Sequence, residues 1–227
     1  MKKRKSSSPS GLRKERPKKH RIVIGIDQSY ADAGITVAVD GRVSVVKDCK
    51  GKQKESHILF RYRMSQMLSN CFASCNKKSL EFQSCEIICI IERIRLRSSK
   101  PDTKHFISLS YIKEMGALNA TIADTAYKFG IPVYSVDTRS WKSQVIGTSK
   151  PMSNKHGFPE EKWPTIRWCL DKGYDSFIKE SVSARKKKAV IESGGERYTY
   201  NDNKADSIGI ALYGFLPPNK QKLEVEQ

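Results

Sequence analysis

At 227 residues and 25.8 kDa the chain is long enough for one domain with extensions, since domains most often run to roughly 100–150 residues. Its formal net charge of +18 makes phosphate polyanions the natural partner, because each neutralised phosphate releases condensed counterions. No stretch approaches the roughly 18–20 consecutive apolar residues that cross a bilayer, and no apolar segment follows the basic N-terminus, so neither a membrane partner nor a secretory signal is expected.

In chain order, residues 1–20 are too polar to bury a core and are expected to form a disordered basic arm. Ten Lys/Arg fall in residues 1–21 against Glu15 alone, and an equal net excess is left for the remainder, so the basicity is spread over the folded part as well. The run Lys2-Lys3-Arg4-Lys5 resembles a nuclear-localisation cluster and is read as a nucleic-acid-binding arm.

Three extended runs follow at 21–27, 33–40 and 42–48, the last two joined by Asp40-Gly41, a strong hairpin signal. Ile58, Leu59, Tyr62, Met64 and Leu68 give 55–75 a helical spacing, and 86–92 reads as a fully buried strand. A long helix is expected over 105–129, stopping at Phe129-Gly130, with a fifth strand at 132–136. Thr138 or Ser140 is the expected cap of a helix beginning near Trp141, and another helix spans 160–172, ended by Gly173. Residues 174–200 read as a mobile basic insertion with a small hairpin, carrying Arg185, Lys186 and Lys187. A last helix is expected over about 203–214, then a C-terminal tail at 217–227. The order βββ-α-β-α-β-α-α makes residues 21–216 one α/β domain with a five-stranded mixed sheet and helices on both faces. No G-x-G-x-x-G follows the first strand, which argues against the doubly wound nucleotide-binding pattern.

Three acidic residues occupy costly places. Asp27 closes the run Ile22-Val23-Ile24-Gly25-Ile26, Glu92 ends Ile87-Ile88-Cys89-Ile90-Ile91, and Asp206 opens Ile208-Gly209-Ile210-Ala211-Leu212. A carboxylate next to buried strand is expensive to desolvate unless it is paired or binds a cation, so the three together suggest a divalent-metal site. Six cysteines without a C-x-x-C pair argue against zinc and for a reducing compartment. His57, His105 and His156 lie in Lys-rich surroundings and read as surface residues, and the Asn119-Ala120-Thr121 sequon has no meaning without secretion.

Ile24-Gly25-Ile26-Asp27-Gln28-Ser29, Ile90-Ile91-Glu92 and Asp202-Asn203-Lys204-Ala205-Asp206-Ser207 together resemble the RuvC-type Holliday-junction resolvases of the RNase H-like superfamily. Gly116-Ala117-Leu118-Asn119-Ala120 and Arg139-Ser140-Trp141-Lys142-Ser143-Gln144-Val145-Ile146-Gly147 extend the resemblance, which covers about residues 21–173 and 202–214. It implies an RNase H-like fold and a crossover-junction endodeoxyribonuclease using two Mg²⁺ or Mn²⁺ ions per site. Asp27 would bridge both metals, Glu92 would hold one, and Asp206 would close the site. The resemblance puts the fourth ligand at Asn203. Asp202, one residue earlier and on the same helical face as Asp206, is the favoured choice, and capping of the last helix is the plain alternative for both.

The same resemblance implies that Lys142 and Lys162 hold the scissile phosphate. Arg93, Arg95, Arg97, Lys100 and Lys104 form a basic run after Glu92 suited to the phosphates of junction arms. Arg95 stands where the bacterial pattern has an aromatic wedge, which leaves Phe106 or Tyr111 for that role. Paired cuts require two active sites, so the resemblance implies a homodimer with branched DNA as partner. Helix 105–129 is its expected dimer element, through Gly116, Ala117 and Ala120. The implied location is the cytoplasm of a bacterial or virus-infected cell, with nucleus or organelle open. An RNase H-type, flap or branch nuclease shares the carboxylates, and a catalytically silent junction-binding protein would share the fold.

Overall fold

A computed structural model describes residues 19–93, 109–182 and 189–226. Nearly all of the basic arm, together with Arg95, Arg97, Lys100, Lys104, His105, Phe106, Arg185, Lys186 and Lys187, lies outside the described residues. The β-branched run of β1 (His20–Asp27) is buried without a break from Ile22 to Ile26, as expected of a strand covered on both faces. β2 (Asp32–Val39) pairs antiparallel with it, and β3 (Arg42–Lys50) antiparallel with β2. The hairpin between them turns on Asp40 at φ 50° and Gly41 at φ 80°, the two positive angles that a two-residue type I′ turn needs.

On its other side β1 pairs parallel with β4 (Cys85–Glu92), and β4 pairs parallel with β5 (Val133–Val136). The five expected strands are present, and a sixth joins them. After a single 3₁₀ turn at Pro218–Lys220, β9 (Glu224–Val225) adds antiparallel to β5, giving the order β3-β2-β1-β4-β5-β9. The segment expected to trail as a tail is thus partly backbone-paired at the sheet edge.

Two helices cover one face. α1 (His57–Ser79) buries Phe60, Met64, Leu68 and Phe72, and α2 (Leu109–Tyr127) buries Met115, Leu118, Ile122 and Ala126, against Ile22, Ile24, Ile26, Ile35 and Ile91. α6 (Asp202–Tyr213) covers the other face with Ile210 and Tyr213 on Val23, Ile88, Ile90 and Val136. It approaches very closely. A Cβ on Gly25 would stand 2.4 Å from Ala211 N, and one on Gly34 would stand 2.1 Å from Asn203 O. Glycine at these two strand positions lets the helix that carries Asp202 and Asp206 lie directly on β1 and β2.

α3 (Thr138–Trp141) runs into one π-helical turn at Lys142–Ile146, which ends at Gly147 with φ 88°. Its cap is neither Thr138 nor Ser140. Asp137 accepts a bond from Arg139 N at 2.9 Å, because the Thr138 hydroxyl is committed to Glu92. α4 (Trp163–Asp171) follows and ends before Gly173 at φ 75°.

The expected insertion is more built than a mobile loop. α5 (Asp175–Ile178) leads into β6 (Lys179–Ser181), β7 (Ile191–Ser193) and β8 (Glu196–Tyr200), a three-stranded sheet ordered β6-β8-β7. The hairpin turns at Gly194-Gly195. A polar network ties this sheet to the main one. Glu180 accepts from Lys204 Nζ at 2.8 Å, Lys50 Nζ at 2.7 Å and Asn201 Nδ2 at 2.9 Å. Asn201, not Asp202 or Asn203, caps α6 by accepting from Lys204 N at 2.9 Å.

Burial pushes the Glu180 carboxyl up, but the three hydrogen bonds outweigh it and hold the group down at about 2 from the usual 4.5. A depressed folded pKa gives stability that is present above the unfolded value. That contribution should be lost as pH falls from 4.5 through about 2. At neutral pH, Glu180→Ala should cost about 2 kcal/mol, less than the ~3–5 of a fully buried pair because water still reaches it. Chemical denaturation of both proteins at pH 7 and pH 3 measures this, and the difference should shrink at the lower pH.

All six cysteines are free. Among the described residues no helix is long and apolar enough to cross a membrane.

Candidate active site

Parallel pairing brings the C-terminal ends of β1 and β4 to the same edge of the sheet, so Asp27 and Glu92 end neighbouring strands. Asp202 and Asp206 occupy the first turns of α6 at the same edge, Lys142 opens the π turn, and Lys162 is the residue before α4.

Asp206 is 3% exposed. Lys142 Nζ stands 3.4 Å from its Oδ1, and Lys162 Nζ stands 3.4 Å from its Oδ2 and 3.0 Å from Asp202 Oδ2. Lys142 is itself only 8% exposed, so it is no ordinary solvated lysine. The Glu92 carboxylate accepts from the Thr138 hydroxyl and from Trp141 Nε1 at 3.3 Å. Trp141 reaches that place under α6 because residue 209 is glycine; a Cβ there would stand 2.4 Å from the indole ring. The Glu92 backbone is held too. Its N–H donates to Gln28 Oε1 at 3.1 Å, and its carbonyl accepts from Gln28 Nε2.

The carboxylates feel one another. Burial pushes the Asp27 carboxyl well above its usual range, and the charges of Asp206, Glu92 and Asp202 push it further, against the pull of Lys162. Burial and Asp206 raise Glu92, against Thr138, Lys142 and Trp141. Burial would lower Lys162, but Asp206, Asp27 and Asp202 together drive it up. Four carboxyl groups thus share one locus with two ammonium groups, and the repulsion and burial that disfavour their ionised forms would be relieved by a cation.

Among the described residues no three His, Cys, Asp or Glu side chains are drawn together tightly enough to hold an ion as they stand. The lysines take up part of the carboxylate charge in their place. The donor set nonetheless fits a hard divalent cation. It is all oxygen, and the buried Asp206 Oδ1 accepts no hydrogen bond.

Other expected residues lie elsewhere. Asn203 Nδ2 donates to the backbone oxygen of Asp32 at 2.5 Å, which turns its amide toward β2. Arg93 Nη2 lies 2.5 Å from Glu224 Oε2 on β9. His57 pairs with Glu114 and stacks on Tyr30, and His156 packs on Trp163. Tyr111 is exposed in the first turn of α2. Gln28, Thr138 and Trp141 were not singled out as supports of Glu92. Only Gln28, adjacent to Asp27, carried a signal that could have been read.

No protein-family model matches the chain, and no curated protein does. Among solved structures the chain is similar to T. thermophilus RuvC in complex with Holliday junction substrate, at 14% identity over 86% of this chain and 93% of that one, with a TM-score of 0.48. It is similar to the Thermus thermophilus RuvC structure at 15% identity over the same shares, with a TM-score of 0.50. The likeness is one of architecture: the chain has a mixed α/β, RNase H-like fold like that of RuvC.

Proposed function

We propose that this chain is a metal-dependent, structure-selective endodeoxyribonuclease that resolves four-way DNA junctions by paired phosphodiester hydrolysis. The observation that carries the reading is the coupled cluster of Asp27, Glu92, Asp202 and Asp206 with Lys142 and Lys162 at one edge of an RNase H-like sheet. Asp27, Glu92, Asp202 and Asp206 would hold two Mg²⁺ or Mn²⁺ ions, which when bound activate water and stabilise the leaving oxygen. Asn203 is the weaker choice of fourth ligand, a neutral amide whose Nδ2 is bonded to the backbone of Asp32. Thr138 and Trp141 fix the orientation of Glu92. Lys142 and Lys162, now paired with Asp206 and Asp202, would with cations bound be the groups that hold the scissile phosphate.

Arg93, Arg95, Arg97, Lys100, Lys104, Arg185, Lys186 and Lys187 are proposed phosphate contacts, Arg93 exchanging Glu224 for DNA. Two cuts require two sites, and the outer face of α2 suits a second copy. Gly116 and Ala120 are exposed there, and nothing lies within 4 Å of a Cβ built on Gly116. Free thiols and a DNA substrate fit a reducing compartment, the cytoplasm of a bacterial or virus-infected cell, with nucleus or organelle open.

Cleavage in Mg²⁺ of a four-way junction, a linear duplex, a flap and an RNA–DNA hybrid tests the reading. The junction should be cut in strong preference. Preferred cutting of the hybrid would make the chain an RNase H-type enzyme, preferred cutting of the flap a flap nuclease, and binding without cutting a silent junction binder.

Deleting residues 1–18, which stops short of the start of β1 at His20, should weaken binding to junction and linear duplex by similar factors and flatten the salt dependence of both, because those residues carry many cations and almost no apolar side chains. Cleavage at saturating junction should barely change. Filter binding over a salt series, with single-turnover kinetics, checks both statements.

A further inference from the structure

We infer that Gln28 is a positioning residue whose side-chain amide stands in for strand backbone and sets the separation of Asp27 and Glu92. The inference rests on the proposed reading of these two carboxylates as metal ligands and deepens it.

The parallel ladder between β1 and β4 runs from His20 opposite Cys85 to Ile26 opposite Ile91, and stops there. The next pair in register, Asp27 opposite Glu92, is not formed, although Asp27 still pairs with Gly34 of β2, and beyond it the chain leaves the strand. The Gln28 side chain takes over. Its Oε1 accepts the Glu92 N–H at 3.1 Å, and its Nε2 donates to the Glu92 carbonyl. A primary amide carries one acceptor and one donor side by side, as a peptide group does, so it can replace one rung of a sheet.

Gln28 is only 8% exposed, so water competes weakly for these bonds. On the far side of the same residue Thr138 and Trp141 hold the carboxylate. Glu92 is therefore clamped at backbone and side chain, and the backbone clamp is covalently one residue from Asp27. No other side chain meets the requirement. Asn is a methylene short, Glu lacks the donor, and Met has the length without either bond.

A displaced ligand pair should harm Mg²⁺ most, because Mg²⁺ demands near-ideal octahedral geometry at short distances. The experiment compares wild type, Gln28→Met and Gln28→Asn. It measures Mg²⁺ and Mn²⁺ affinity by calorimetry without DNA, thermal unfolding without metal, and single-turnover junction cleavage in each metal.

Both variants should lose about tenfold or more in Mg²⁺ affinity but less than about threefold in Mn²⁺ affinity, given the stricter geometry of Mg²⁺. Cleavage in Mg²⁺ should fall at least as far and recover in Mn²⁺, with junction binding unchanged. Gln28→Asn keeps the amide and is the smaller change, so it supplies the result if Gln28→Met fails to fold. Wild-type Mg²⁺ affinity in either folded variant would overturn the inference. So would equal losses for both metals in step with a lower melting temperature. Wild-type protein that binds Mg²⁺ but cuts no junction would remove the proposed substrate and leave this inference standing.

Discussion

Asp27→Asn should abolish cleavage while leaving junction affinity near wild type. The substitution keeps the shape of the side chain and removes the ionisable group on which burial, the other three carboxylates and Lys162 all act. Losing a metal ligand should cost several kcal/mol of transition-state stabilisation, so more than about a tenth of the wild-type rate would contradict the two-metal reading. A second readout follows from the raised pKa. A group whose folded pKa lies above its unfolded one gives stability that is lost as pH rises through the folded value. Metal-free wild type should therefore lose stability as pH climbs past the usual carboxylate range, and Asp27→Asn should lose less. Thermal melts in a chelator from pH 4 to pH 8 measure the difference.

The second large effect separates two adjacent residues. Asp202→Ala should reduce cleavage by about a hundredfold or more, the order of loss of a group acting on the transition state. The Asp202 carboxylate lies 3.0 Å from Lys162 Nζ, and Lys162 also reaches Asp206, so it belongs to the charged cluster. Asn203→Ala removes a bond to the β2 backbone and should leave the rate within about threefold, at a modest loss of stability typical of one hydrogen bond. Single-turnover rates for the two variants decide the matter. The reverse result would make Asn203 the ligand.

Most of the sheet was legible because its signals are local. The β-branched runs of β1 and β4 and the Asp40-Gly41 turn specify strands and a hairpin on their own. β9 is two residues long and exists through backbone pairing with Tyr134 and Ser135, so no side-chain pattern announces it. The π-helical turn at Lys142 has no sequence code either. The choice of Asp137 over Thr138 as a cap depends on Glu92, 46 residues away, claiming the threonine hydroxyl.

The candidate site divides in the same way. Asp27, Glu92 and Asp206 stand out because a carboxylate beside buried strand is anomalous wherever it occurs. Their support does not stand out. Gln28, Trp141 and Gly209 act across crossovers, and nothing local in the sequence distinguishes Lys162 from a solvated lysine, although it reaches Asp202 and Asp206.

Metal-dependent paired incision of a branched substrate can be read from a map of every cut on a four-way junction labelled in turn on each strand, with Mg²⁺ and with a chelator. Mg²⁺-dependent nicks should fall at symmetry-related positions on two opposed strands, with none in the chelator. Cuts that persist without metal, or that fall on linear duplex as readily as on the junction, would contradict it.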